Sequence, residues 1–153
     1  MPATSCQQQA RPHIVRVRDY LSGGTMPDYR QLEVWKRAHA LTLELYKMTN
    51  SFPKCEIFGL VSQIRRSSSS IGANLAEGCG RRGDAEFSRF IDIARGSCDE
   101  LDYHLLLCFD LGYLQQGQYE TARTRVVEIG KMLTGLSSRV RPRRNASVTR
   151  APR

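Results

Sequence analysis

Apolar residues recur at spacings of three and four along most of this chain, the period of a helix buried on one side. After Asp28, a suitable N-cap residue, the stripe is Leu32, Trp35, Ala38, Leu41, Leu45 and Met48. It ends near Ser51-Phe52-Pro53, because proline cannot continue an earlier helix but suits the first turn of a new one. The second stripe is Ile57, Leu60, Val61, Ile64, Ser68, Ile71 and Leu75, and it stops at Gly78-Cys79-Gly80. Asp84 is expected to cap a third helix, with Phe87, Phe90, Ile91, Ala94, Cys98, Leu101, Leu105 and Cys108 on its stripe and Gly112 at its C′ position. A fourth starts near Gln118, carries Tyr119, Ala122, Val126, Ile129, Leu133, Leu136 and Val140, and is stopped by Pro142. Arg139 and Arg141 near its end suit the helix dipole.

Four helices of about 20–27 residues joined by short loops predict an all-α fold, an antiparallel up-down-up-down four-helix bundle over residues 28–140. The apolar faces are wider than one stripe. Val34, Leu43 and Tyr46 on the first helix, and Ile93, Leu106 and Phe109 on the third, lie beside the main rows. A bundle monomer needs one stripe per helix, so the surplus predicts self-association.

The flanking segments differ in character. Residues 1–27 contain Pro2, Pro12, a Gln7-Gln8-Gln9 run and a Ser22-Gly23-Gly24 turn, and are expected to be a disordered or loosely ordered basic tail. The alternation Val15-Arg16-Val17-Arg18 has no second strand to pair with. Met26 follows the glycine turn and offers an alternative start for the native protein. Residues 141–153 form an Arg-rich tail, also expected to be disordered.

Charge sharpens that division. The chain is formally +8, but residues 1–27 carry +2 and residues 141–153 carry +5, leaving 15 basic and 14 acidic residues between. The basic character therefore lies mostly in the tails, which weakens the overall charge as evidence about the partner of the folded part. Cys6, Cys55, Cys79, Cys98 and Cys108 show no repeated spacing and read as free thiols in a reducing, cytoplasmic setting. No segment approaches the ~18 consecutive apolar residues of a membrane span.

Candidate chemistry is sparse. Gly78-Cys79-Gly80-Arg81-Arg82-Gly83 matches a dinucleotide fingerprint in letters, but a helix precedes it and no strands surround it. His104 and Cys108 share a helix face, yet two ligands are too few for zinc even if His39 approached from another helix. Ser67-Ser68-Ser69-Ser70 lacks a nucleophile elbow or an activating His/Asp pair, and reads instead as small side chains at a close helix contact. Arg95 and His104 stand too far apart in sequence for the Arg-to-His motif of helical ribonucleases. No catalytic, cofactor or metal residue is assigned, and no enzymatic activity is expected. Gln63, Ser67, Ser70, Asn74 and Glu77 form a polar stripe that fits either a solvated face or an inter-subunit hydrogen-bonding face. Arg65, Arg66, Arg81 and Arg82 are the densest basic positions of the folded region and the candidates for phosphate contact, with Glu56, Glu77, Asp84 and Glu86 near enough in sequence to neutralise them.

Several segments together carry a family resemblance: Leu32 to Ala38, Phe52-Pro53-Lys54, Phe58-Gly59-Leu60, Gln63-Ile64-Arg65-Arg66, Ser70-Ile71-Gly72-Ala73-Asn74-Leu75-Ala76-Glu77-Gly78, Glu86-Phe87 and Gly96-Ser97. In that order they resemble the bacterial four-helix-bundle proteins encoded by intervening sequences of 23S rRNA genes, over about residues 29–140. The resemblance implies a homopentamer, and the family as a whole has no established enzymatic activity. It also implies kinship with the accessory protein of diversity-generating retroelements, a barrel-shaped pentamer that binds a reverse transcriptase and nucleic acid. The expected function is a non-enzymatic homo-oligomeric module binding RNA or an RNA-associated protein; the alternative is a protein-interaction scaffold with no nucleic-acid role.

Overall fold

A computed structural model describes residues 28–140. The two tails, with Cys6, the Val15–Val17 alternation, Met26, Arg141 and Pro142, lie outside the described residues. Helices α1 (Glu33–Met48), α2 (Leu60–Gly80), α3 (Asp84–Asp110) and α4 (Gln116–Val140) account for most of the described residues, and no strand occurs among them. No helix among them is long and apolar enough to cross a membrane.

The four helices close into a ring. α2 packs against α1 and α3, α3 against α4, and α4 returns to α1. Three of these pairs are tied at more than one level. Thr42 Oγ1 donates to the Ser68 carbonyl (3.0 Å), while Arg65 reaches Thr49 farther along α1. Ser97 meets Ser70, whereas the α2 end at Gly78 meets Phe87 and Phe90. Ser137 bonds Asp92, and Arg123 lies 3.6 Å from Asp102. The core inside the ring is built from the expected stripes: Leu41, Leu45, Ile64, Ile71, Leu75, Ile91, Leu101, Leu105, Ile129 and Leu133 are fully buried.

Helix ends depart from expectation in instructive ways. Asp28 does not cap α1. Its carboxylate accepts the Arg30 amide (3.0 Å) and closes a 3₁₀ turn over Tyr29–Gln31, after which Leu32 is extended and α1 begins. Residues 49–51 tighten into another 3₁₀ turn, so α1 has only 16 residues. Pro53 opens a short 3₁₀ turn and not α2; Ile57 therefore lies outside the second helix and is exposed. Glu56 takes the capping role, its Oε2 accepting the Leu60 amide (3.1 Å). Asp84 is the first residue of α3, and Gly83, at φ +91°, stands at the cap. An acid in the first turn still favours the helix dipole. Gly112 does end α3 as expected: at φ +76° its amide donates to the Phe109 carbonyl, and that of Tyr113 to the Cys108 carbonyl. This is the paired-bond arrangement of a glycine-terminated helix.

Val34 also needs correction. It is buried in the core rather than part of a second apolar face, while Leu43, Tyr46, Ile93 and Leu106 are exposed as the surplus predicted.

Gly78 fixes the α2–α3 distance. A Cβ built there would lie 2.8 Å from the Phe90 Cβ and 3.0 Å from the Phe87 ring, whereas one at Gly80 would meet nothing within 4 Å. Gly78→Val is expected to destabilise the chain by about 1–3 kcal/mol through overpacking. Gly80→Ala should change stability by less than about 1 kcal/mol, in the stabilising direction. Urea denaturation of both variants checks this; equal effects would contradict the close-approach account.

Candidate nucleic-acid interface

The four candidate arginines occupy different environments. Arg65, half-buried on α2, reaches across to the end of α1. Its Nε donates to Thr49 Oγ1 (2.9 Å), and its Nη2 donates to Asn50 Oδ1 (2.8 Å) and the Tyr46 carbonyl (3.3 Å). Its guanidinium lies over the Tyr46 ring, 4.8 Å from the centroid. All these acceptors are neutral, so the positive charge is held in place without being neutralised. Arg66 instead pairs with Glu100 of α3 and donates to Gln63 Oε1 (3.1 Å). Arg81 pairs with Glu77 at 2.5 Å and lies over the Phe90 ring. Arg82 is exposed in the α2–α3 turn and pairs with no carboxylate among the described residues. The structure thus does not bring the four together as one patch; Arg65 and Arg82 are the two whose charge is uncompensated.

The polar stripe of α2 is largely engaged within the chain. Ser67 is fully buried, its hydroxyl donating to the Gln63 carbonyl (2.8 Å), and it presents no surface to another subunit. Asn74 Nδ2 donates to Ser70 Oγ (3.0 Å), Ser70 lies 2.9 Å from Ser97 Oγ, and Ser97 donates to the Ile93 carbonyl (3.2 Å). This polar relay stitches α2 to α3. Gln63 and Glu77, both exposed, serve Arg66 and Arg81.

The titratable groups among the described residues form no reactive cluster. Burial pushes the thiols of Cys79, Cys98 and Cys108 up to about 11, helped by Asp28, Asp99 and Glu56 respectively. Cys98 donates to the Val126 carbonyl (3.2 Å). His104 is lowered, chiefly by burial and further by Arg66, against the opposing pull of Glu100; its Nδ1 is buried without a hydrogen-bond partner. No group of three or more His, Cys, Asp or Glu among the described residues is placed to hold a metal ion. A groove of about 370 Å³ between α3 and α4 is floored by Cys98, Val126 and Gly130. On its rim Arg95 pairs with Asp99 and donates to Thr134, Asp102 lies 3.6 Å from Arg123 outside the groove, and Lys131 forms no ion pair among the described residues.

What individual motifs do not reveal is a run of rings on the outer side of α1. Tyr29 meets Trp35 edge-on (5.0 Å between centroids), and Trp35 stacks on His39 (4.9 Å, 8° between planes). The four-residue separation of Trp35 and His39 on a helix is the sequence signal for that contact.

A family model described as 23S rRNA-intervening sequence protein matches residues 30–135. The chain belongs to this family. It is also similar to a solved protein of unknown function from the S23 ribosomal protein family of Bacteroides thetaiotaomicron. The two are 28% identical, with a TM-score of 0.62 over 68% of this chain and 97% of that one. No curated protein matches. The matched span coincides with the described bundle and contains all four candidate arginines.

Two outcomes test these assignments. Arg65→Ala should cost about 1–3 kcal/mol, because it breaks charge-assisted hydrogen bonds to Thr49, Asn50 and the Tyr46 carbonyl, while Arg82→Ala should stay within about 0.5 kcal/mol; thermal melts of the two variants read the difference. A thiol with its pKa near 11 is only about one-thousandth thiolate at pH 8, at tenfold per unit. Among the described cysteines, mass mapping after brief alkylation of the folded protein should find Cys55 labelled, and Cys98 and Cys108 labelled only after denaturant is added. Rapid labelling of Cys98 in the folded state would contradict its burial.

Proposed function

We propose that the chain is a non-enzymatic homo-oligomeric module, a pentamer of antiparallel up-down-up-down bundles, that binds RNA or an RNA-associated protein in the cytoplasm. The antiparallel arrangement is supported by the opposite running of cross-helix contacts described above. The observation that carries the reading is the pair of large apolar side chains left outside a closed bundle on α3, Ile93 and Leu106, each at 41% exposure. Exposed apolar surface of this kind marks an interaction face. Reactive chemistry has little support, since the deeper thiols are held protonated and most charged side chains are tied into ion pairs within or between helices. Kinship with the accessory protein of diversity-generating retroelements belongs to the same reading. Arg65, Arg82 and the basic tails would supply phosphate contacts, and five copies would multiply weak individual sites by avidity.

A second reading, a protein-interaction scaffold with no nucleic-acid role, is favoured by Phe58. This side chain is 94% exposed on a loop that is firmly held, because Glu56 accepts both the Leu60 amide and the Tyr113 hydroxyl (3.1 Å). A rigidly presented aromatic suits a partner's pocket.

Light scattering at micromolar concentration should report five times the 17.3 kDa chain mass; a monomer mass would remove the oligomer. Structured RNA should be retained at low salt and released steeply as salt rises, as counterion release requires. Absence of retention, together with a protein partner that survives nuclease treatment, would favour the scaffold.

A further inference from the structure

The outer face shared by α1 and α2 has an unusual combination of features. Trp35, His39, Leu43 and Tyr46 follow one another at helical spacing on α1, with His39, Leu43 and Tyr46 exposed. The Trp35–His39 stack leaves the far side of the imidazole uncovered by any described ring. Beside this row α2 offers Ser69, Gly72 and Ala73, side chains too small to overhang it; a Cβ on Gly72 would already touch the Trp35 Nε1 at 3.4 Å. The rings therefore stand proud of a shallow floor.

Electrostatics on this face are one-sided. The carboxylates of α1 turn elsewhere, Glu33 to Arg37 and Glu44 to Arg125 of α4, and Glu77 of α2 pairs with Arg81. Arg65 stays cationic among neutral acceptors, and its described hydrogen bonds use Nε and Nη2, leaving Nη1 available. Lys47, exposed next to Tyr46, forms no ion pair among the described residues. Stacking surfaces flanked by fixed positive charge are what single-stranded nucleic acids require.

We propose that this face binds single-stranded nucleic acid, with bases stacked on His39 and on the side of the Tyr46 ring opposite the Arg65 guanidinium, and phosphates held by Arg65 and Lys47. The inference rests on the nucleic-acid reading above and names its ligand class and surface. His39 and Tyr46 are two helical turns apart, about 10 Å at ~1.5 Å per residue, which accommodates roughly three stacked nucleotides at ~3.4 Å each. Leu43 supplies the apolar floor between them. Stacking of this kind tolerates any base, because every base has a π-face.

Trp35 is the single tryptophan of the chain, so its fluorescence reports on this face directly. The full-length protein is titrated with oligouridylate and, separately, with a fully paired RNA hairpin. Saturable quenching by oligouridylate is expected, with His39→Ala and Tyr46→Leu each weakening binding by about 5- to 100-fold and Tyr46→Phe retaining it. Circular dichroism of each variant confirms that the helices persist. Binding of the hairpin without a change in Trp35 emission would overturn this proposal while the nucleic-acid reading stands. Binding of neither RNA would overturn both. An emission shift on diluting the protein alone, with no response to oligouridylate, would show that a second copy occupies the face and would also overturn it.

Discussion

The close approach of α2 to both its neighbours is the constraint on which the rest of the structure depends. Gly78 sits against Phe87 and Phe90, Gly72 against the Trp35 ring, and Ser67 and Ser68 are buried with their hydroxyls returned to carbonyls of their own helix. Small side chains here allow the helices to meet while Ile64, Ile71 and Leu75 fill the centre. This explains the four-serine run without chemistry: Ser67 and Ser68 pack, Ser70 bonds across to Ser97, and Ser69 is exposed and bonds only its own helix. The same economy of bulk on α2 leaves the rings of α1 uncovered. One packing solution thus sets both the core and the face available to a partner.

Ion pairs between helices matter less for stability than for what they remove from the surface. Exposed pairs such as Arg37 with Glu128 contribute little individually. Together with the pairs inside single helices they neutralise most charges of a nearly balanced bundle, so that a cation with neutral partners stands out. Arg65 is such a cation. Its hydrogen bonds to Thr49 and to the Tyr46 carbonyl also satisfy acceptors near the negative end of α1, which orients the guanidinium before any ligand arrives.

Periodicity made the helices legible, since a buried stripe must repeat at 3.6 residues whatever its neighbours are. Nearly every residue of the four predicted stripes is buried, Ile57 being the clear exception. Ends were less legible because caps compete: Glu56, not Pro53, supplies the acceptor for the first amide of α2, and Gly83 rather than Asp84 stands at the cap of α3. Val34 reads as off-stripe only on the assumption that Leu32 already belongs to the helix, whereas Leu32 is extended and shifts the entry of the chain. For the site, positions were readable but partners were not. Arg81 finds Glu77 four residues away, as local spacing allows, but Arg66 finds Glu100 on another helix. Which arginine keeps its charge is decided by tertiary packing, and no local pattern contains that information.

The central claim is that this bundle meets its partner through the uncovered rings of α1 and not through a reactive pocket. Carbethoxylation of His39, mapped by mass spectrometry in the full-length assembled protein, tests it most directly. The account predicts rapid modification of His39 in the free protein and strong protection once single-stranded oligonucleotide is bound. A His39 that is unreactive in the free assembly, or equally reactive with oligonucleotide present, would contradict it.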